Sequence, residues 1–177
     1  CPSAQFYGGF RDGEGGYTIC DSFGLRDAAE SPAGCLVYSV GSDGEFSFER
    51  AVHKEISEKC EIHVFDAYPI EQYLSKTHNP SYPHDPVPDF LTYHAMPLDA
   101  NNSIGVLMQK LGHTGRTIKL LKVSCNGCEI ATHQTWLVGD TKIDQIVVRQ
   151  MKARSETVAR YLTARGYGCF EGGDDFH

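Results

Sequence analysis

The chain has 177 residues, with 23 acidic against 16 basic side chains and a formal net charge of −7. It has no basic block and no interleaving of basic with aromatic residues, which argues against non-specific nucleic-acid binding. No apolar run approaches the roughly 20 residues of a membrane-spanning helix, and the 41% apolar fraction suffices for one packed core. The chain begins at Cys1 rather than Met, as a processed or trimmed product would. Seven cysteines are an odd number spread over a domain-sized chain. Disulfide-built secreted domains are smaller and denser in Cys. This composition predicts mostly reduced thiols and an intracellular or organellar compartment rather than a secreted one.

Residues 1–34 read as an irregular, Gly-rich segment, with turns at Tyr7-Gly-Gly-Phe10 and Asp12-Gly-Glu-Gly-Gly16 and a short strand over Tyr17–Cys20. From residue 35 to 177 strand and helix signals alternate. Leu36–Val40 is a buried strand. Phe46–Lys59 is a helix carrying Phe48, Val52 and Ile56 on one face. Glu61–Phe65 is the second strand and Ile70–Lys76 a short helix. Asn79–Asp89 holds Pro80, Pro83, Pro86 and Pro88 and is an extended surface connection. Phe90–His94, Ile118–Val123 and Ile143–Arg149 are further strands. Ile104–Leu111, Glu129–Val138 and Ser155–Arg165 are helices, the last with Ser155 as cap and Gly166 at its C′ position. Tyr167–Phe170 starts a sixth strand, after which the chain stops short of the terminal strand such folds carry.

Short apolar strands alternating with helices predict an α/β fold: a mostly parallel sheet with helices on both faces. Ligands of such sheets sit beyond the carboxyl ends of the strands, where strand order reverses. The first strand runs into Gly41-Ser-Asp-Gly44, a turn followed by a helix. The two glycines permit backbone conformations closed to other residues, and a helix start offers free N–H groups. G-x-x-G alone is equally the mark of an ordinary tight loop. Asp66, roughly 20 residues on at the end of the second strand, suits the hydroxyls of a ribose. Its plainer reading is an N-cap. Cys125-Asn-Gly-Cys128 is a C-x-x-C, but no second pair supplies the four ligands zinc normally takes. Two packed thiols are the default there, ahead of zinc or redox chemistry. Of the eight histidines, His94 and His113 fall nearest the predicted ligand edge.

Four segments carry a family resemblance: Cys35 to Glu49, Glu61-Ile-His-Val-Phe-Asp66, Lys110-Leu-Gly-His-Thr-Gly-Arg-Thr-Ile118 and Leu120-Leu-Lys-Val-Ser-Cys-Asn-Gly-Cys-Glu129. Gly13-Glu-Gly-Gly-Tyr-Thr-Ile-Cys-Asp21 fits as well. Together, from about Gly13 to Phe170, they resemble the methyltransferase-like domains related to FkbM-type S-adenosylmethionine-dependent methyltransferases. The resemblance implies a Rossmann-like methyltransferase fold and S-adenosylmethionine as cofactor. It places Gly41, Ser42 and Gly44 against the methionine and ribose, Asp66 at the ribose hydroxyls, Met96 near the adenine edge, and Lys122 to Glu129, Ser124 included, beside the methyl-transfer site.

The same stretch departs from the family. The pattern after the fourth strand resembles Lys-Ile-Asp-x-Glu-Gly-x-Glu. Here Ser124 and Asn126 stand where acids are found, while Gly127 and Glu129 match. The fifth strand ends in Arg149-Gln150 instead of an acid followed by His. Neither Ser nor Asn is a carboxylate base or strong metal ligand. Methyl transfer draws much of its rate from alignment, so the loss of acids leaves activity open. The leading expectation is methyl transfer to an unidentified acceptor. The alternative is a pseudoenzyme: an inactive methyltransferase-like domain kept as a scaffold subunit, with protein partners in a larger assembly. A dinucleotide-dependent oxidoreductase fits less well, because the third glycine of that fingerprint is missing.

Overall fold

The computed structural model of the protein describes residues 1, 3–10, 14–74, 86–149 and 155–168. Two strands, β1 (Gln5–Phe10) and β2 (Glu14–Ile19), open the chain as an antiparallel hairpin. Helix α1 (Ser22–Glu30) follows, its first turn closed by the Asp21 side chain, which accepts from Gly24 N at 2.8 Å. Five parallel strands then form the central sheet: β3 (Leu36–Val40), β4 (Glu61–Phe65), β5 (Leu91–His94), β6 (Thr117–Val123) and β7 (Lys142–Val148). Their order is β5-β4-β3-β6-β7. Sequence order runs outward from β3 in both directions, so it reverses between β3 and β6.

Both faces of the sheet are covered, as parallel sheets require. On one face Val37, Ile62, Val64 and Leu120 pack against Tyr7, Tyr17 and Ile19 of the hairpin, Leu25 of α1, and Phe48, Val52 and Ile56. On the other face Leu36, Tyr38, Phe65, Ile118 and Leu121 pack against Ile104 and Leu107 of α4 (Ile104–Lys110), Trp136, and Val158 and Leu162 of α6 (Ser155–Thr163). Ile118 and Leu121 share a face although three residues apart. The pairing of β6 with β3 steps from Leu36↔Ile118 to Val37↔Leu120, so Lys119 is an extra residue. Such a bulge resets the alternation of side chains.

Several expectations on the elements are corrected. The Gly-rich start, read as irregular, carries a hairpin and a helix because its tyrosines and leucine belong to the core. The helix predicted over Phe46–Lys59 is α2 (Ser47–Ala51) running into one π-helical turn, Val52–Ile56, and it buries Phe48, Val52 and Ile56 as anticipated. The segment after β6 is a short α5 (Cys128–Thr132) and a 3-10 turn, His133–Thr135, rather than one helix to Val138. There Thr132 Oγ1 bonds back to Cys128 O, at 2.7 Å, and accepts from the buried Trp136 Nε1, at 3.0 Å. Helix α3 is Ile70–Leu74. The proline segment up to residue 85 and the sixth strand beyond residue 168 lie outside the described residues, and Tyr167 and Gly168 are not strand.

The six cysteines among the described residues are paired, contrary to the expectation of mostly reduced thiols. Cys1–Cys20, Cys35–Cys60 and Cys125–Cys128 form disulfides. The fold brings together cysteines that spacing alone left unassigned: Cys35 just before β3 and Cys60 just before β4 are side by side because those strands are neighbours. No helix among the described residues is long and apolar enough to cross a membrane.

Candidate active site

A cavity of about 290 Å³ opens at the carboxyl ends of β3 and β6, where strand order reverses. Its lining includes Gly41, Ser42, Glu45, Glu49, Lys122 and Ser124, with Gly15 and Tyr17 reaching in from the hairpin. A larger, more open hollow of about 420 Å³ is lined by Gln5, Phe6, Tyr7, Arg26 and Glu55, none of them at a strand end of the central sheet.

The turn after β3 is built by close backbone approach. Gly41 has φ of +79°. A Cβ there would overlap the Ser124 carbonyl, so glycine lets the ends of β3 and β6 converge. Gly44, at φ +77°, packs against Tyr73: a Cβ there would come within 2.8 Å of the Tyr73 Cβ. Asp66 braces this turn. Its Oδ2 accepts from Ser42 N at 3.0 Å and Ser42 Oγ at 2.5 Å. Burial pushes the Asp66 carboxyl above its ordinary value despite those hydrogen bonds.

The floor of the cavity is a buried acid–base pair 73 positions apart in sequence, Glu49 and Lys122. Lys122 Nζ donates to Gly41 O at 2.8 Å, stands 3.9 Å from Glu49 Oε1 and lies over the Tyr17 ring at 5.1 Å. Burial opposes its charge, but Tyr17 and the carboxylates of Glu49, Asp66 and Glu45 outweigh that and raise its pKa. Glu49 Oε1 accepts from Ser39 Oγ at 2.5 Å. Glu49 Oε2 is buried with no hydrogen-bond partner among the described residues. Glu45 is also buried, its Oε1 held by Ser47 N at 2.5 Å, and burial raises its pKa. A buried carboxylate oxygen without a donor is costly unless a ligand supplies one. The cavity therefore suits a ligand bearing a positive charge or strong N–H donors.

Of the residues singled out from sequence, Gly41, Ser42 and Ser124 line the cavity. Asp66 stands behind Ser42. Gly44 and Met96 are not among the lining residues, and Met96 packs half-buried against the opposite core. His94 and His113 are not at the cavity: both join His63 elsewhere. Glu129 turns into its own loop, where Oε2 accepts from Gly127 N at 3.0 Å. Asn126 lines the cavity with φ of +53°, a conformation that Asn tolerates better than most residues. Sequence reasoning missed Glu49, Tyr17 and Gly15. Glu49 carried a signal, since it lies three residues before Val52 on the apolar helix face, an unusual place for a carboxylate.

A parallel sheet in this order, with a ligand-sized cavity at its switch point, defines an α/β domain with a Rossmann-like methyltransferase fold. A family model, Methyltransf_22, described as a methyltransferase domain, matches residues 1–172, and the chain belongs to that family. Comparisons with curated proteins and with solved structures return no match.

Proposed function

We propose that the chain is an S-adenosylmethionine-binding methyltransferase domain of FkbM-related type, with the cofactor in the β3/β6 cavity and an acceptor still to be identified. The observation that carries this reading is Glu49 Oε2, a buried carboxylate oxygen at the cavity floor without a hydrogen-bond partner among the described residues. S-adenosylmethionine brings an ammonium and a sulfonium, both cationic. A dinucleotide would instead bring an anionic diphosphate into a lining where three carboxylates, Asp43, Glu45 and Glu49, outnumber the two cations Lys122 and Arg149. When bound, the cofactor supplies an activated methyl group. Gly41, Ser42 and Ser124 would border it, Asp66 would hold Ser42 in place, and Glu49 would hold positive charge. Lys122, tied to Gly41 O, would keep the β3 turn against β6.

A second reading rests on Ser124 and Asn126. Both line the cavity at positions where the related pattern carries acids, so the β6 loop presents no carboxylate base there. This favours a domain that binds cofactor weakly or not at all and serves as a scaffold. Calorimetric titration with S-adenosylmethionine, S-adenosylhomocysteine and NADH tests both. Micromolar binding of the first two without NADH supports the methyltransferase reading. A folded chain that binds none of the three overturns it and leaves the scaffold. The three disulfides favour an oxidising compartment, such as the lumen of a secretory organelle.

A further inference from the structure

On the face of the sheet away from the hairpin, at the start of β4, two imidazoles and a carboxylate converge. His63 Nε2 lies 2.9 Å, and His113 Nε2 3.1 Å, from the same oxygen, Glu61 Oε1. The three donor atoms all lie within 4.8 Å of one another. We propose that Glu61, His63 and His113 form a binding site for a zinc-type divalent transition-metal ion, independent of the cofactor cavity and of the methyltransferase reading. Glu61 and Asp66 sit at opposite ends of β4, about 16 Å apart along the strand, so the two sites are separate.

Donor chemistry, spacing and surroundings agree. Two neutral imidazoles and one carboxylate are ligands for borderline dications, and a remaining position would be taken by water. Bonds of about 2.0–2.2 Å at tetrahedral angles place neighbouring donors roughly 3.3 Å apart, close to the two distances found. Each imidazole is already oriented through its other nitrogen: His63 Nδ1 meets His94 Nε2 at 2.9 Å, and His113 Nδ1 meets the Tyr38 hydroxyl at 2.7 Å. Metal-bound histidines are characteristically held in this way. Arg116 Nη2 occupies the other carboxylate oxygen, Glu61 Oε2, at 2.7 Å, leaving Oε1 for an ion. Both imidazoles are buried, while Glu61 is exposed and gives a path from solvent.

Without metal, one set of protons satisfies every contact. His63 and His113 donate from Nε2 to Glu61, and accept at Nδ1 from His94 Nε2 and the Tyr38 hydroxyl. Binding an ion needs only a tautomer change. The proton of each ligating ring moves from Nε2 to Nδ1, His94 moves its own from Nε2 to Nδ1 and accepts, and Tyr38 turns its hydroxyl to accept. The rings stay neutral and no proton is lost. The site would then clamp the loop between α4 and β6, which carries His113 and Arg116, to the first residues of β4.

The test is titration of the untagged, EDTA-treated chain, disulfides left oxidised, with Zn²⁺ by calorimetry and with Co²⁺ by visible absorption. The expected result is one equivalent of Zn²⁺ with a rise in melting temperature, and Co²⁺ bands typical of a site with four or five ligands. His113→Asn and Glu61→Gln should abolish both signals. Tyr38→Phe, which keeps all three ligands, should weaken Zn²⁺ binding about tenfold to a hundredfold. No binding by the parent chain, or binding undiminished in the folded Glu61→Gln and Tyr38→Phe variants, overturns the proposal. The second outcome would mark an adventitious ion bound at other residues.

Discussion

Replacing Glu49 by Gln isolates the charge on the cavity floor. The amide keeps the side-chain volume and can still accept from Ser39 Oγ through its carbonyl oxygen, the contact made at 2.5 Å by Glu49 Oε1. What it loses is the negative charge, which lies near Lys122 through Oε1 and, on Oε2, has no hydrogen-bond partner among the described residues. Glu49 is 1% exposed, so solvent screening removes little of the interaction. A hydrogen bond to a charged group contributes about 1.5–3 kcal/mol net, which corresponds to a dissociation constant raised roughly tenfold to 150-fold. The assay is calorimetry of parent and variant with S-adenosylmethionine and S-adenosylhomocysteine, after near-ultraviolet circular dichroism shows both folded. S-adenosylhomocysteine keeps the ammonium and lacks the sulfonium charge. Equal weakening of both ligands assigns Glu49 to the ammonium, and greater weakening of S-adenosylmethionine assigns it to the sulfonium. Unchanged affinity for both in a folded variant would refute the reasoning.

Gly41→Ala should destabilise the fold by about 1–3 kcal/mol through the strained backbone alone, with the overlap on the Ser124 carbonyl added; thermal melting checks it, and an unchanged melting temperature would contradict the packing described. Serine at both Cys35 and Cys60 opens a link between residues 25 apart, for which loop entropy gives about 3.5 kcal/mol; urea unfolding of parent and variant measures it. Asp66 and Glu45 have carboxyls raised by burial above their ordinary values of 3.8 and 4.5. The native state therefore holds their protons more tightly than the unfolded chain, and their contribution to stability is full below the ordinary values and falls as pH rises through the raised ones. Asp66→Asn and Glu45→Gln should flatten that fall in a series of urea melts against pH; an unaltered slope would show that neither group titrates as described.

Much of the framework was legible in short windows of sequence. The five apolar strands and the Phe48, Val52 and Ile56 face arise from local periodicity, because burial on one face imposes a repeat that any reader of the chain can see. The turn at Gly41 was legible too, although its reason was not: the glycine lets two strand ends meet. What no window contains is which distant segments become neighbours. Strand order sets that, and it placed Lys122 beside Glu49, joined Cys35 to Cys60, carried Tyr17 into the cavity and drew His113 away from the predicted ligand edge to His63. A reading that treated the first 34 residues as irregular could not foresee that their hairpin would wall the cavity. Periodicity is a property of adjacent residues and survives in the sequence. A site is a meeting of residues far apart in the chain, and only the packing of the sheet with its two covering layers decides which ones meet.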